Sequence, residues 1–268
     1  MNVRWPTLVP TVAAPNRVER CAKMAPDIPG GPVISVVIPA YNEAALLGTT
    51  VRQLVDGLRA LGDPFEVHVV ENGSTDGTVT VARRIVDAVP EVELHTMRVA
   101  NYGEALRTGL LASRGDVAVI FDVDFWDLQF MKQALDVLDA APDPVGPAIV
   151  VGSKRAPGAS DERVLVRRLA TGVFSGILRV GFGLTVSDTH GMKVLNLGAL
   201  RPAVTACRNG SDLFDTELIL RAERSGYLVA EVPVSCVEMR PARTSIARRV
   251  PRTLLGLAKL RVALGSHR

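Results

Sequence analysis

The chain has 268 residues, 47% hydrophobic and 22% charged, with a formal net charge of +3. This is enough apolar material for one sizeable core, so disorder of the bulk is excluded, and no linker-like stretch divides the chain into two domains. Cys21, Cys207 and Cys236 are widely separated and lack C-x-x-C or His-rich metal spacing, which points to a reducing compartment.

Residues 1–31 carry Pro6, Pro10, Pro15, Pro26 and Pro29 without sustained periodicity and are read as an irregular extension. Arg4, Arg17, Glu19 and the prolines interrupt any apolar run there, so a signal peptide is not expected. The folded part is placed at 32–240. An apolar run at 33–38 predicts a strand, and helical spacing at Leu47, Val51, Leu54, Val55 and Leu58 predicts the helix after it. A β-branched run at 65–70 ends in the turn cluster 71–77, which predicts a helix to about 89, capped at Ser74 or Asp76. A strand at 92–99, a helix at 102–113 and a strand at 117–121 follow. Further on, helices are predicted from 127 to about 140, over 162–180 and over 215–225, with strands at 148–152, 192–197 and 228–234. Such alternation predicts an α/β fold with one doubly wound, mainly parallel sheet.

No stretch approaches the roughly 18 uncharged apolar residues of a membrane-spanning helix. The longest, 171–186, is broken by Arg179 and several glycines. The expectation is a cytoplasmic protein that does not cross a membrane.

In an open parallel sheet, ligands bind where the carboxyl ends of strands open onto loops. Three such loops are polar here, at 39–43, 71–76 and 122–124. Asp122 and Asp124, read on one side of an extended chain, can share a hard divalent cation such as Mg²⁺ or Mn²⁺. A diphosphate leaving group needs that charge neutralisation. Two solvated loop aspartates are the plainer alternative.

Four segments stand at successive strand ends: VVIPAYNE (36–43), VVENGSTDGT (69–78), NYGEALRTG (101–109) and FDVD (121–124). They resemble the N-terminal half of family 2 glycosyltransferases. VGSK (151–154), DTHGMK (188–193), FDTEL (214–218), Gly226-Tyr227 and AEVP (230–233) extend the resemblance to the branch that makes dolichyl- or polyprenyl-phosphate sugars. It covers about residues 33–240 and implies a GT-A fold and an inverting transfer of sugar from a UDP- or GDP-sugar.

By matching position, the resemblance implies that Pro39, Ala40, Tyr41 and Glu43 cradle the base and ribose, with Glu71 and Asn72 on the other side. Lys154 stands where the family has an Arg facing phosphate, keeping the charge without the bidentate geometry. Arg167 and Thr171 match a pair that addresses an acceptor phosphate; on a helix they share a face, and a solvated basic face with Arg163 and Arg168 is the alternative. Asp215 and Glu217 match the acidic motif near the acceptor, where a hydroxyl acceptor needs a general base and a phosphate does not. Complementing a helix dipole is their other reading. His190 is either a further metal-shell or acceptor-site residue or a loop histidine bonded to backbone. The chain departs from the family at Glu71-Asn72, usually Asp-Asp, at Trp126, where a metal-assisting Gln is usual, and in the 188–192 loop, one residue short.

After Glu238 no acidic residue follows, while Arg240, Arg243, Arg248, Arg249, Arg252, Lys259, Arg261 and Arg268 do. Residues 241–268 are read as a basic amphipathic helix with Val250, Leu254, Leu257 and Leu264 on one side. It fits either an anionic leaflet, giving peripheral membrane contact, or the chain's own domain. Nucleic acid is not expected as a partner, because no aromatics interleave with the charges. The expected reaction is transfer from a nucleotide-sugar donor to a polyprenyl phosphate. Transfer to a hydroxyl and a catalytically silent nucleotide-sugar-binding or scaffold protein are the alternatives.

Overall fold

The structure, a computed structural model, describes residues 34–265 except 141–145, 155, 157–159, 162–164, 211–212 and 237–245; for 160–161, 165–171, 236 and 246–252 the backbone alone is described. The extension at 1–31 and Cys21 lie outside these residues.

The first half is a run of βα units. They are β1 (Ile34–Ala40), α1 (Leu47–Leu61), β2 (Phe65–Asn72), α2 (Thr78–Ala88), β3 (Val92–Met97), α3 (Tyr102–Ala112), β4 (Val117–Ile120) and α4 (Leu128–Asp139). The second half holds β5 (Pro147–Ser153), β6 (Ser160–Asp161), α5 (Leu165–Phe182), β7 (Lys193–Asn196), α6 (Leu197–Ala206), α7 (Phe214–Arg224), β8 (Leu228–Pro233), β9 (Ser235–Cys236) and α8 (Ile246–Gly265). Seven strands form one sheet in the order β3-β2-β1-β4-β7-β5-β8, and β6 pairs with β9 apart from it. Only β7 runs against its neighbours in the large sheet; the other pairings are parallel.

The sheet is covered on both faces, which is why β1 is buried at every position and reads as a nearly continuous apolar run. Ile34, Val36, Ile38 and Ala40 pack with α1 and α4. Val37 packs with Val70 and the α3 residues Ala105, Leu106 and Leu110 on the other face. All five apolar positions predicted for α1 are buried, and Gly62, at φ +82°, ends the helix in the left-handed conformation.

Several local expectations are corrected. β3 stops at Met97 rather than 99. Helix α2 has Gly77 at its N-cap; Asp76 still serves its first turn, accepting from Thr78 N at 2.9 Å. Ser74 turns instead to the first loop, its hydroxyl accepting from Asn42 N at 3.0 Å. Helix α6 was not predicted, because Pro202 lies inside it. Its cap was legible in principle, since Asn196 Oδ1 accepts from Ala199 N at 3.1 Å. Among the described side chains of α8, Leu257, Leu260 and Leu264 are buried, while Leu254, expected beside Leu257 and Leu264, is 50% exposed; the Val250 side chain lies outside the described residues. Arg261, which falls on the apolar side of the helical projection, donates to Gly181 O and stacks on Phe182 at the end of α5.

Candidate active site

The carboxyl ends of β1, β2, β4 and β5 open on one edge of the sheet. β7 is antiparallel, and its first residue, Lys193, pairs with Ile120 at the end of β4. The loop 187–192 therefore reaches the same edge from the opposite chain direction. Without that reversal Asp188, His190 and Lys193 would lie far from Asp122.

The first two loops are stitched to each other. Asn42, at φ 55°, accepts from Thr75 N at 2.8 Å through Oδ1. Glu43 N donates to Thr78 Oγ1 at 2.8 Å and Ala44 N to Asp76 Oδ2 at 3.3 Å. Glu71 Oε1 accepts from Ser74 N at 2.5 Å, and Asn72 Oδ1 from Asn101 N at 2.6 Å. Gly73, at φ +67°, lets the turn pass the 99–100 backbone, where a Cβ would stand 2.9 Å from Ala100 N. Pro39, Ala40, Glu43, Glu71 and Asn72 are thus fixed and largely buried, while the Tyr41 ring is 39% exposed. Ala40 pairs with Glu71 in the β1–β2 register, so these residues lie at the adjacent carboxyl ends of the two strands.

Asp122 and Asp124 lie on a tight turn, not on an extended chain. Asp122 N donates to Phe125 O at 3.1 Å, and Phe125 N returns a bond to Asp122 O at 3.2 Å. The cause is Val123, which is buried with α1 and α4 residues and whose carbonyl accepts from Thr50 Oγ1 at 2.8 Å. Asp124 is left exposed at the tip. Trp126 packs against the same apolar cluster.

Burial pushes the Asp122 carboxyl up to about 6; the Asp215 and Asp124 charges act in the same sense, and Lys193 and Lys154 oppose it. These five charged groups therefore form one electrostatic unit. Lys154 Nζ sits 4.8 Å above the Phe125 ring centroid. Lys193 has no exposed surface; its Nζ lies 2.9 Å from Asp215 Oδ1 and donates to Gly191 O at 2.8 Å. Asp215 is 1% exposed, and its Oδ2 meets no donor among the described residues. An uncompensated buried carboxylate oxygen beside two further aspartates fits a divalent cation.

Glu217 stands apart from this unit. Its carboxylate accepts from Arg208 N, from Asn209 N at 2.8 Å and from Arg221 Nε at 2.8 Å, which anchors the 208–209 loop to α7. His190 belongs to a bonded loop: its N–H donates to Asp188 Oδ1 at 3.0 Å, its Nδ1 lies 3.0 Å from Thr189 Oγ1, and its ring meets Phe174 edge-on. Ser175 Oγ donates to Ser187 O at 2.8 Å, so α5 runs directly past this loop. Arg167 and Thr171 precede Phe174 on α5 by about two turns and one turn. Their side chains lie outside the described residues.

Lys193 closes the DTHGMK segment, whose resemblance implies no role for it. A lysine between Met192 and Val194 in an otherwise apolar strand was the available signal, since a buried ammonium requires a partner.

The Glycosyl transferase family 2 model matches residues 35–201. Glycosyltransferase AglD of Haloferax volcanii is 29% identical over 230 residues, which is 82% of this chain but only 35% of that protein. The dolichyl-phosphate beta-glucosyltransferase of Saccharomyces cerevisiae is 26% identical over 237 residues, covering 80% of this chain and 70% of that one. Glucosyl-3-phosphoglycerate synthase from Mycobacterium tuberculosis, solved with Mn²⁺, UDP and phosphoglyceric acid, superposes with a TM-score of 0.60 at 23% identity, over 88% of this chain and 79% of that one. The fold is accordingly of the GT-A type. With its first β-strand through its sixth helix under the family model, the chain belongs to glycosyl transferase family 2.

Proposed function

We propose that this glycosyltransferase moves a sugar, with inversion, from a nucleotide-sugar donor to a polyprenyl phosphate. Pro39, Ala40, Tyr41, Glu43, Glu71 and Asn72 hold the nucleoside, and Lys154 faces the diphosphate. Asp122 and Asp124 hold Mg²⁺ or Mn²⁺, which when bound neutralises charge on the leaving nucleoside diphosphate. The acceptor oxygen forms a bond to the anomeric carbon as that carbon's bond to the diphosphate breaks.

The observation that carries the acceptor class is the state of the two acids nearest α7's start. Asp215 is paired with buried Lys193, and Glu217 is saturated by amides and Arg221. Neither stands as a free general base, which a hydroxyl acceptor needs and an already anionic phosphate does not. Arg167 and Thr171, on the helix that passes the His190 loop, address the acceptor phosphate, with His190 at its side. The yeast relative acts on dolichyl phosphate by its name, in keeping with this choice.

The test is transfer from radiolabelled UDP- and GDP-sugars with Mn²⁺ or Mg²⁺, offered a polyprenyl monophosphate, a soluble phosphorylated acceptor or a hydroxyl acceptor. A labelled lipid product that depends on cation and falls by about 10²-fold or more in Asp124→Ala is expected. Product with the hydroxyl acceptor alone overturns the acceptor class, and donor binding without turnover on any acceptor overturns the enzymatic reading.

A further inference from the structure

We propose a second metal site, for a Zn²⁺-type ion, formed by His68, Glu93 and His95 on the face of the sheet that α3 covers, away from the Asp122–Asp124 turn.

The ligand atoms are already gathered. One donor atom from each of the three residues lies within 4.8 Å of the others. His68 Nδ1 is 3.0 Å from His95 Nε2 and 3.8 Å from Glu93 Oε2. An ion bound tetrahedrally at about 2 Å separates its ligands by about 3–4 Å, so only small side-chain adjustments are required.

The backbone fixes this arrangement. His68 pairs with Glu93 and Val70 with His95 in the β2–β3 ladder, and a two-residue spacing puts Glu93 and His95 on one face of β3. β3 is an edge strand, so Glu93 and His95 are half-buried while His68 is fully buried. An ion can enter from solvent, yet one ligand is anchored in the core.

The surroundings match what metal-binding imidazoles need. Glu66 Oε1 lies 3.1 Å from His68 Nε2, and Nδ1 is the ring nitrogen turned toward Glu93 and His95. Glu66 is held in turn by Ser35 Oγ at 2.6 Å, by Arg114 N at 2.6 Å and by the Arg114 guanidinium. Arg114 also takes Glu93 Oε1 at 2.7 Å, leaving Oε2 as the oxygen turned toward His68. Two carboxylates against one guanidinium leave the cluster net negative before a cation arrives. Two imidazoles and one carboxylate, with a position open to water, suit Zn²⁺ rather than the oxygen-preferring Mg²⁺. The bound ion would tie edge strand β3 to β2.

The test uses the full chain stripped with chelator and titrated with Zn²⁺ against a chromophoric competitor, then with Co²⁺ to read its d–d absorption. One Zn²⁺ bound at micromolar affinity or better is expected, with retention in Asp124→Ala. His95→Ala and Glu93→Gln should each weaken it by about tenfold or more and abolish the Co²⁺ band. Glu93→Gln alters a half-exposed side chain conservatively, so it decides the matter if His95→Ala does not fold. Wild-type binding no tighter than about 100 µM, unchanged affinity in either folded variant, or loss of the site in Asp124→Ala overturns the proposal.

Discussion

Lys193 and Asp215 show how one buried pair shapes the site. Each is almost wholly removed from water, so breaking the pair leaves a bare charge, which typically destabilises by about 3–5 kcal/mol. Lys193→Met should lose that much in chemical denaturation. Lys193→Met combined with Asp215→Leu should regain most of it while transfer stays abolished, and a single variant as stable as wild type would refute the pairing. Glu66 gives a pH prediction. Burial alone would raise its carboxyl, but His68, Ser35 and the Arg114 amide outweigh this and hold it at about 2 against an ordinary 4.5. A depressed folded value means the stabilisation is complete above the ordinary value and disappears as pH falls from 4.5 to about 2. In chelator, wild-type stability should therefore drop across that window, and Glu66→Gln, weaker at pH 7, should show a flatter profile. Parallel profiles would remove Glu66 as the cause.

Among the elements, α3 crosses β1 and β2 closely enough to constrain its own sequence. A Cβ on Gly109 would stand 2.4 Å from Val37 Cγ1 and 3.0 Å from Val70 Cγ2. In an open helix Gly→Ala gains up to about 1 kcal/mol, whereas here overpacking should reverse the sign, for a net loss of about 1–3 kcal/mol. Thermal denaturation of Gly109→Ala checks this, and an unchanged or higher Tm would mean that α3 can shift. The elements of the first half were legible because each βα unit has its own periodicity and turn residues. The second half was less so: Pro202 disguised α6, and the buried valine between two aspartates turned the acidic loop back on itself.

For the molecule as a whole, no described helix is long and apolar enough to cross a membrane. Yet α8 exposes Leu254, Leu255 and Val262, and α5 exposes Val173, Ile177 and Val180. Arg261 ties the two helices at one end, and Lys259 is exposed on α8. Exposed apolar side chains among basic ones fit the surface of an anionic leaflet, where a polyprenyl phosphate resides. Leu254→Ser/Leu255→Ser should reduce cosedimentation with anionic vesicles severalfold while activity on a short-chain, soluble acceptor analogue persists. Equal cosedimentation of the variant would place any membrane contact elsewhere.

The sequence by itself determined the alternation of strands and helices, the polar strand ends and the family resemblance, because propensity, periodicity and turn chemistry act over a few neighbouring residues. Only the tertiary structure decided what those ends meet. The reversal of β7 brings Lys193 to the end of β4 beside Asp122. On α7, positions two apart face different ways, so Asp215 joins the carboxylate cluster while Glu217 anchors a loop. The same holds for Glu66, His68, Glu93 and His95, ordinary alternating residues of two strands until the parallel register places them side by side. Long-range pairing and burial fix these encounters, and neither is written into any local stretch of chain.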